Sequence, residues 1–214
     1  LTYKNNAPDT LSYIYMHLWP YAYKDRSTAF AQQKLRLNDA KFHFAEENKR
    51  GRLDSLDFTI NDERTSWKLD EQFEDIARIE LDSPLLPGQS IKIASPFRLK
   101  IPASFSRLGH VGESYQMTQW FPKPAVYDRD GWHPMPYLNM GEFYSEFGDY
   151  EVQITLPENY IVAATGTLQE SAEHAYLNKQ VARTKKALKT GIQPGKHAFP
   201  ESSASFKTIS FKAK

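Results

Sequence analysis

The chain has 214 residues, and its 27 Lys and Arg against 26 Asp and Glu leave a formal net charge of +1. Apolar residues make up 40% and charged residues 25%, which excludes disordered and collagen-like chains, and the near-neutral balance excludes a strong field steering it to nucleic acid. No cysteine is present, so a disulfide scaffold, a thiol nucleophile and a Cys-ligated zinc are excluded; no apolar run approaches the roughly 20 residues of a membrane helix.

Leu1-Thr2-Tyr3-Lys4 reads as strand from the first residue, turned by Asn5 to Asp9. A weaker strand spans Ser12 to Trp19. Ser27 is the expected cap of a short helix through Thr28, Phe30, Ala31 and Leu35. From Leu53 to Ile60, Leu56, Phe58 and Ile60 face one way and Ser55, Asp57 and Thr59 the other. Such alternation buries one face of an antiparallel sheet and wets the other. Further strands are expected at Thr65 to Leu69, Ile76 to Leu81, Ile91 to Ala94, Phe97 to Ile101, Tyr150 to Leu156 and Tyr160 to Thr165. Turns are expected at Asn61-Asp62, Ser83-Pro84, Pro87-Gly88 and Pro157-Glu158-Asn159. A long helix runs from about Ala172 to Thr190, capped by Ser171 and stopped by Gly191, with Leu177, Val181 and Leu188 on one face. A Gly/Pro/Ser-rich loop, Gly191 to Ser205, leads to a last strand, Phe206 to Lys212, so that helix and loop (172–205) form an insertion between two strands. The pattern predicts a mainly β fold, a multi-sheet, sandwich-like antiparallel domain over 1–214 with one or two helical insertions. Both ends read as cut, so the chain is expected to be a piece of a longer protein.

Charge is uneven: residues 171–214 carry a net +7 and the remainder −6. A solvated basic helix accounts for this, since no stacking aromatics interleave with the lysines as nucleic-acid binding requires. The six histidines, at 17, 43, 110, 133, 174 and 197, have no partner at i+4, so H-E-x-x-H is absent. His110 and Glu113 straddle Val-Gly, which reads as a surface loop rather than a metal site. Asp128-Arg129-Asp130-Gly131 begins like a calcium loop but lacks the later ligands, and reads as a hairpin turn. Residues 115–150 hold ten aromatics: Tyr115, Trp120, Phe121, Tyr127, Trp132, Tyr137, Phe143, Tyr144, Phe147 and Tyr150. They suit either an aromatic core layer or a ligand-binding wall, as in a stand-alone carbohydrate- or protein-binding module. Glu142 and Glu146 have the residue types of a glycosidase pair but no accompanying cleft signal.

Gln119-Trp120-Phe121-Pro122-Lys123-Pro124-Ala125-Val126-Tyr127-Asp128 resembles a stretch of bacterial zinc aminopeptidases of the aminopeptidase N-like, gluzincin family, Bacteroidetes-like branch. So do Gly131-Trp132-His133-Pro134-Met135-Pro136-Tyr137, Gly141 to Tyr150, Ile154 to Pro157, Ala163 to Gly166, Asn5 to Leu11, and His17-Leu18-Trp19-Pro20 with Tyr23-Lys24. The resemblance implies a saddle-shaped, non-catalytic N-terminal β-domain lacking its first strands, preceding a catalytic domain that carries zinc. It implies no catalytic residue and no metal ligand in this piece, with that downstream domain and the amino terminus of a peptide substrate as partners. A cell-envelope, periplasmic or secreted location is suggested by the relatives. In the family a Gln at a strand end, often in Gln-x-Gln or Gln-x-Glu, helps hold the free α-amino group. Gln119 falls on the first position; Phe121 falls on the second, where a polar residue is commoner, and is expected as an apolar pocket wall.

Overall fold

Residues 1–191 and 199–214 are described by the structure, a computed structural model, and they group into two units, Leu1–Glu146 and Phe147–Lys214. The architecture is mainly β, with several antiparallel sheets and two α-helices among the described residues, as the alternation predicts. No helix among these residues is long and apolar enough to cross a membrane.

The first unit contains β1 (Thr2–Lys4), β2 (Leu11–His17), β3 (Arg52–Asp54), β4 (Thr59–Ile60), β5 (Glu63–Arg64), β6 (Trp67–Leu69) and β7 (Ile76–Leu85). It continues with β8 (Ser90–Ala94), β9 (Arg98–Lys100), β10 (Gly109–Val111), β11 (Ser114–Gln116), β12 (Lys123–Pro124), β13 (Val126–Asp128) and β14 (Gly131–His133). Two four-stranded sheets have the orders β12-β2-β7-β6 and β1-β8-β4-β5. Strand β2 sets the layering. Its Ile14 and Met16 are buried in a cluster with Leu18, Phe58, Ala77, Ile79 and Ile93, drawn from both sheets. Each large apolar side chain so buried contributes about 1.5–3 kcal/mol. On the opposite face Tyr13 and Tyr15 meet Trp132, at centroid distances of 6.3 and 6.2 Å, and Tyr127 joins the ring cluster at 5.1 Å.

A second cluster forms where Pro20 turns the chain out of β2 into a 3₁₀ turn, Trp19–Tyr23. Trp19, Tyr23, Phe30, Phe42, Leu108 and Tyr137 are buried there. Helix α1 (Ala29–Arg36) supplies Phe30, and its N-cap is Thr28, whose hydroxyl accepts from the Ala31 N–H at 3.3 Å. The expected cap, Ser27, is spent elsewhere: its N–H and hydroxyl both donate to Asp25.

The second unit holds β15 (Tyr150–Pro157), β16 (Thr167–Leu168), helix α2 (Ser171–Lys189) and β17 (Phe206–Ala213), in the sheet order β15-β17-β16. Ile154, Leu156, Leu168, Ile209 and Phe211 share an apolar face, and Leu177 of α2 packs on it. Glu173 is buried and takes a 2.7 Å ion pair from Lys207. Helix α2 lies between β16 and β17 in the chain; of the expected 172–205 insertion, residues 192–198, His197 among them, lie outside the described residues.

Five further expectations need correction. The Leu53–Ile60 strand is two short ones, β3 and β4, because Ser55 takes φ +64° and breaks the extension, although Phe58 is still buried. Ser83-Pro84 does not end β7; the register jumps from Tyr13↔Glu80 to Leu11↔Leu85, so residues 81–84 bulge out, a place where proline is tolerated. Residues 160–165 form no strand: Val162 packs on the apolar face while Ile161 is exposed, and pairing resumes only at Thr167. The cap of α2 is Glu170 rather than Ser171, and the Glu170 carboxylate accepts from the Ser210 N–H at 2.8 Å instead of capping its own helix. Of the expected apolar face of α2, Leu177 is packed, whereas Val181 and Leu188 are exposed.

Candidate functional site

The segment from β11 to β12 carries both candidate binding residues, Gln119 and Phe121. It ends where β12 pairs with β2, Lys123 opposite His17 and Pro124 opposite Met16. Pro122 and Pro124 fix φ and offer no N–H, so the ladder is short and its approach stiff. Gln119 sits on a bend, not at a strand end, and has φ +53°. A left-handed conformation costs a residue bearing a Cβ on the order of 1 kcal/mol. Side-chain bonds offset that cost: the Gln119 amide oxygen accepts from Lys123 Nζ, and the neighbouring Thr118 hydroxyl donates to the Arg107 carbonyl at 2.7 Å.

Lys123 Nζ lies 4.3 Å from the centroid of Trp19, and the Trp19 ring stacks on His17 at 4.4 Å and packs against Phe143 at 4.5 Å. The run 135–137 is tied to this wall at four points. Trp19 Nε1 donates to the Met135 carbonyl at 2.9 Å, and the Met135 N–H donates to His17 Nε2 at 3.1 Å. The Tyr137 N–H donates to Asp75 Oδ2 at 2.6 Å, and the Tyr137 and Tyr23 hydroxyls are 2.8 Å apart.

Burial dominates the electrostatics here. It lowers the His17 pKa to about 3; the Lys123 charge adds to the shift and the His133 main chain opposes it. Nε2 accepts, so the neutral ring carries its proton on Nδ1, which has no hydrogen bond of good geometry. Burial raises Asp75 to about 7 despite the bond from Tyr137. It also lowers Lys123 to about 8, with no acid restoring it, and Lys123 has no ion pair among the described residues.

Phe121 packs edge-on to Trp120 at 5.2 Å and lines an apolar cleft of about 300 Å³ with Met16, Phe58, Ile93, Phe97 and Pro122. Gln119 is not part of that lining, so one loop carries a polar point and an apolar wall that face different neighbours. A larger groove of about 720 Å³ lies in the second unit, around Asp149, Glu151, Gly166 and Lys212.

The remaining candidates resolve into structure. His110 and Glu113 sit on the β10–β11 hairpin, where His110 Nδ1 is 3.1 Å from the Gly112 carbonyl. No group of three or more His, Asp or Glu among the described residues is arranged to hold a metal ion. Asp128 to Gly131 is the expected hairpin turn between β13 and β14. Asp128 also accepts from His133 Nε2 at 2.7 Å and from the Tyr144 hydroxyl at 3.2 Å, and the His133 bond chiefly holds its carboxyl below the usual range. Of the ten aromatics in 115–150, Tyr137 is buried and Trp120, Phe121, Tyr127, Trp132 and Phe143 are half-buried. The exposed four, Tyr115, Tyr144, Phe147 and Tyr150, are spread over a hairpin, a loop and the second unit. Glu142 and Glu146 are exposed. Sequence reasoning missed Asp75 and the surroundings of His17. The one available signal was a histidine at the end of an apolar strand, next to Leu18-Trp19. Compared with protein-family models, with curated proteins and with solved structures, the chain matches none.

Proposed function

We propose that the chain is the non-catalytic N-terminal β-domain of a zinc-dependent aminopeptidase, covering the substrate cleft and helping to hold the free amino terminus of a peptide through Gln119. The observation that carries this reading is the state of that amide: half-buried, on a left-handed backbone, its oxygen turned toward an ammonium group. An amide oxygen oriented by its loop toward N⁺–H donors has the chemistry that recognition of an α-ammonium requires. Phe121, on its apolar cleft, supplies a wall rather than a polar contact. On this reading the metal and its ligands belong to a catalytic domain that follows, and among the described residues no group of three or more His, Asp or Glu is arranged to hold one. That domain and the peptide terminus are the partners. A free-standing sugar-binding wall would need several exposed rings in one plane, and the exposed rings of 115–150 lie on separate segments.

The test is kinetic and uses the polypeptide that contains both domains. A hydrogen bond to a charged group contributes about 1.5–3 kcal/mol, so Gln119→Ala should lower kcat/KM for amino-acid anilides by roughly 10- to 100-fold. Unchanged kinetics would remove Gln119 from the site. A reading frame without H-E-x-x-H after this domain would remove the aminopeptidase assignment itself.

A further inference from the structure

We propose that Lys123 gates the amine site: its ammonium occupies the Gln119 amide oxygen, and it must lose its charge or move aside before a ligand ammonium binds there. The inference rests on the reading of Gln119 as an amine anchor and adds its regulation.

The geometry carries the argument. Lys123 is fixed at its main chain by pairing with His17 on β2, and from there its side chain reaches back to the loop and donates to Gln119 Oε1. Lys123 is therefore a resident copy of the group that the amide is proposed to recognise. An oxygen already bonded to one ammonium presents a second ammonium with a like charge at close range. The groups facing Lys123 are His17 from β2, which is itself held neutral, the Trp19 ring from the 3₁₀ turn, and Gln119 from the loop. Among the described residues no carboxylate pairs with it. The same burial favours release of the proton, because it penalises only the charged form. A neutral amine no longer repels the ligand, and its nitrogen lies over the Trp19 ring.

With Lys123 titrating at about 8, roughly 3% of it is uncharged at pH 6.5 and roughly 97% at pH 9.5. Apparent affinity scales with the competent fraction, so a ligand ammonium should bind about 30-fold more tightly at the higher pH. The probe is n-butylamine, an alkylammonium whose ordinary pKa, like that of a lysine side chain at about 10.4, keeps it mostly charged at both values. The readout is the Gln119 side-chain carbonyl carbon in ¹³C-labelled protein, assigned by its absence in Gln119→Ala. Lys123→Met keeps an apolar stem on Trp19 and removes the competitor, so it should bind at pH 6.5 as tightly as the wild type does at pH 9.5. Equal wild-type affinity at both pH values, or weak binding by Lys123→Met at pH 6.5, overturns the gate and leaves the amine anchor standing. Should Lys123→Met fail to fold, the two wild-type titrations decide alone. If butylamine moves the Gln119 resonance under no condition, the anchor is wrong and the gate falls with it.

Discussion

Replacing Asp75 by asparagine should stabilise the first unit at alkaline pH and change the shape of its pH profile. Asp75 is buried at the start of β7, where its carboxylate accepts the Tyr137 N–H. Its folded pKa, about 7, lies above the ordinary 3.8, so between those values the native state holds a proton that the unfolded chain has released. Stability attributable to this group is therefore full below pH 4 and is lost as pH rises, by about 4 kcal/mol once pH passes 7. His17 works in the opposite sense. Its folded pKa, about 3, lies below the ordinary 6.5, so its contribution is full above 6.5 and is lost on acidification, by up to about 5 kcal/mol. The two slopes offset one another between about pH 4 and 6.5 in the wild type. Asp75→Asn keeps an acceptor for Tyr137 and removes one slope. The variant should match the wild type near pH 4, gain about 4 kcal/mol at pH 8, and rise by about 3 kcal/mol from pH 4 to 6.5 as the histidine slope is unmasked. Urea unfolding at a series of pH values measures this, with hydrogen exchange of the Tyr137 amide as the local probe. Parallel profiles for the two proteins, or no gain at pH 8, would refute the claim that Asp75 is buried without a counter-charge.

Two further substitutions test the packing. Tyr23→Phe removes the hydroxyl that bonds Tyr137 and accepts from the Leu108 N–H, leaving both buried groups short of a partner. The expected cost is about 1–3 kcal/mol in urea unfolding, and a loss under half of that would mean the site hydrates or relaxes. Gly166→Ala places a Cβ 2.4 Å from the Lys212 carbonyl oxygen at φ +99°, so β16 should detach from β17 and amide exchange at Phe211 and Lys212 should accelerate. Unchanged protection there would show that the approach of the two strands is not fixed by that glycine.

Strands were legible where side-chain alternation and a full-length partner coincide. Tyr150 to Leu156 and Phe206 to Lys212 read directly as strands, and they pair residue for residue from Tyr150↔Ala213 to Pro157↔Phe206. Asn61-Asp62 was legible because asparagine and aspartate tolerate positive φ, and both adopt it between β4 and β5. Ser55 is not a residue that favours positive φ, yet it takes φ +64° where Asp54-Ser55, two consecutive polar residues, put Leu53 out of phase with Leu56, Phe58 and Ile60. The bulge at 81–84 has the turn residues the sequence announces, but whether a Ser-Pro pair ends a strand or swells it depends on the partner strand. The contacts of the candidate residues were not legible in the sequence. Resemblance points to Gln119, whereas its bond to Lys123 depends on a backbone angle that favours glycine. Asp75 and His17 meet the same short run, 135–137, only because the register sets His17 beside Ile76.

That register explains why His17 and Asp75 are both buried against the 135–137 run without a counter-charge, with Lys123 close by over the Trp19 ring. An apolar wall of Trp19, Phe143 and Tyr137 excludes water, and the polar atoms bonded within it meet main chain or amide rather than charge: His17 Nε2 meets Met135, Asp75 meets Tyr137 and Lys123 meets Gln119, while His17 Nδ1 has no hydrogen bond of good geometry. Two of these contacts clamp the 135–137 run and serve the fold. The third clamps a side chain on a left-handed bend, and that contact does nothing for the β12 ladder, which Lys123 joins through its backbone. An apolar residue of similar length at position 123 would cover Trp19 without desolvating a charge, so folding alone does not call for a lysine there. What the lysine adds is an ammonium held between the Gln119 oxygen and the Trp19 ring.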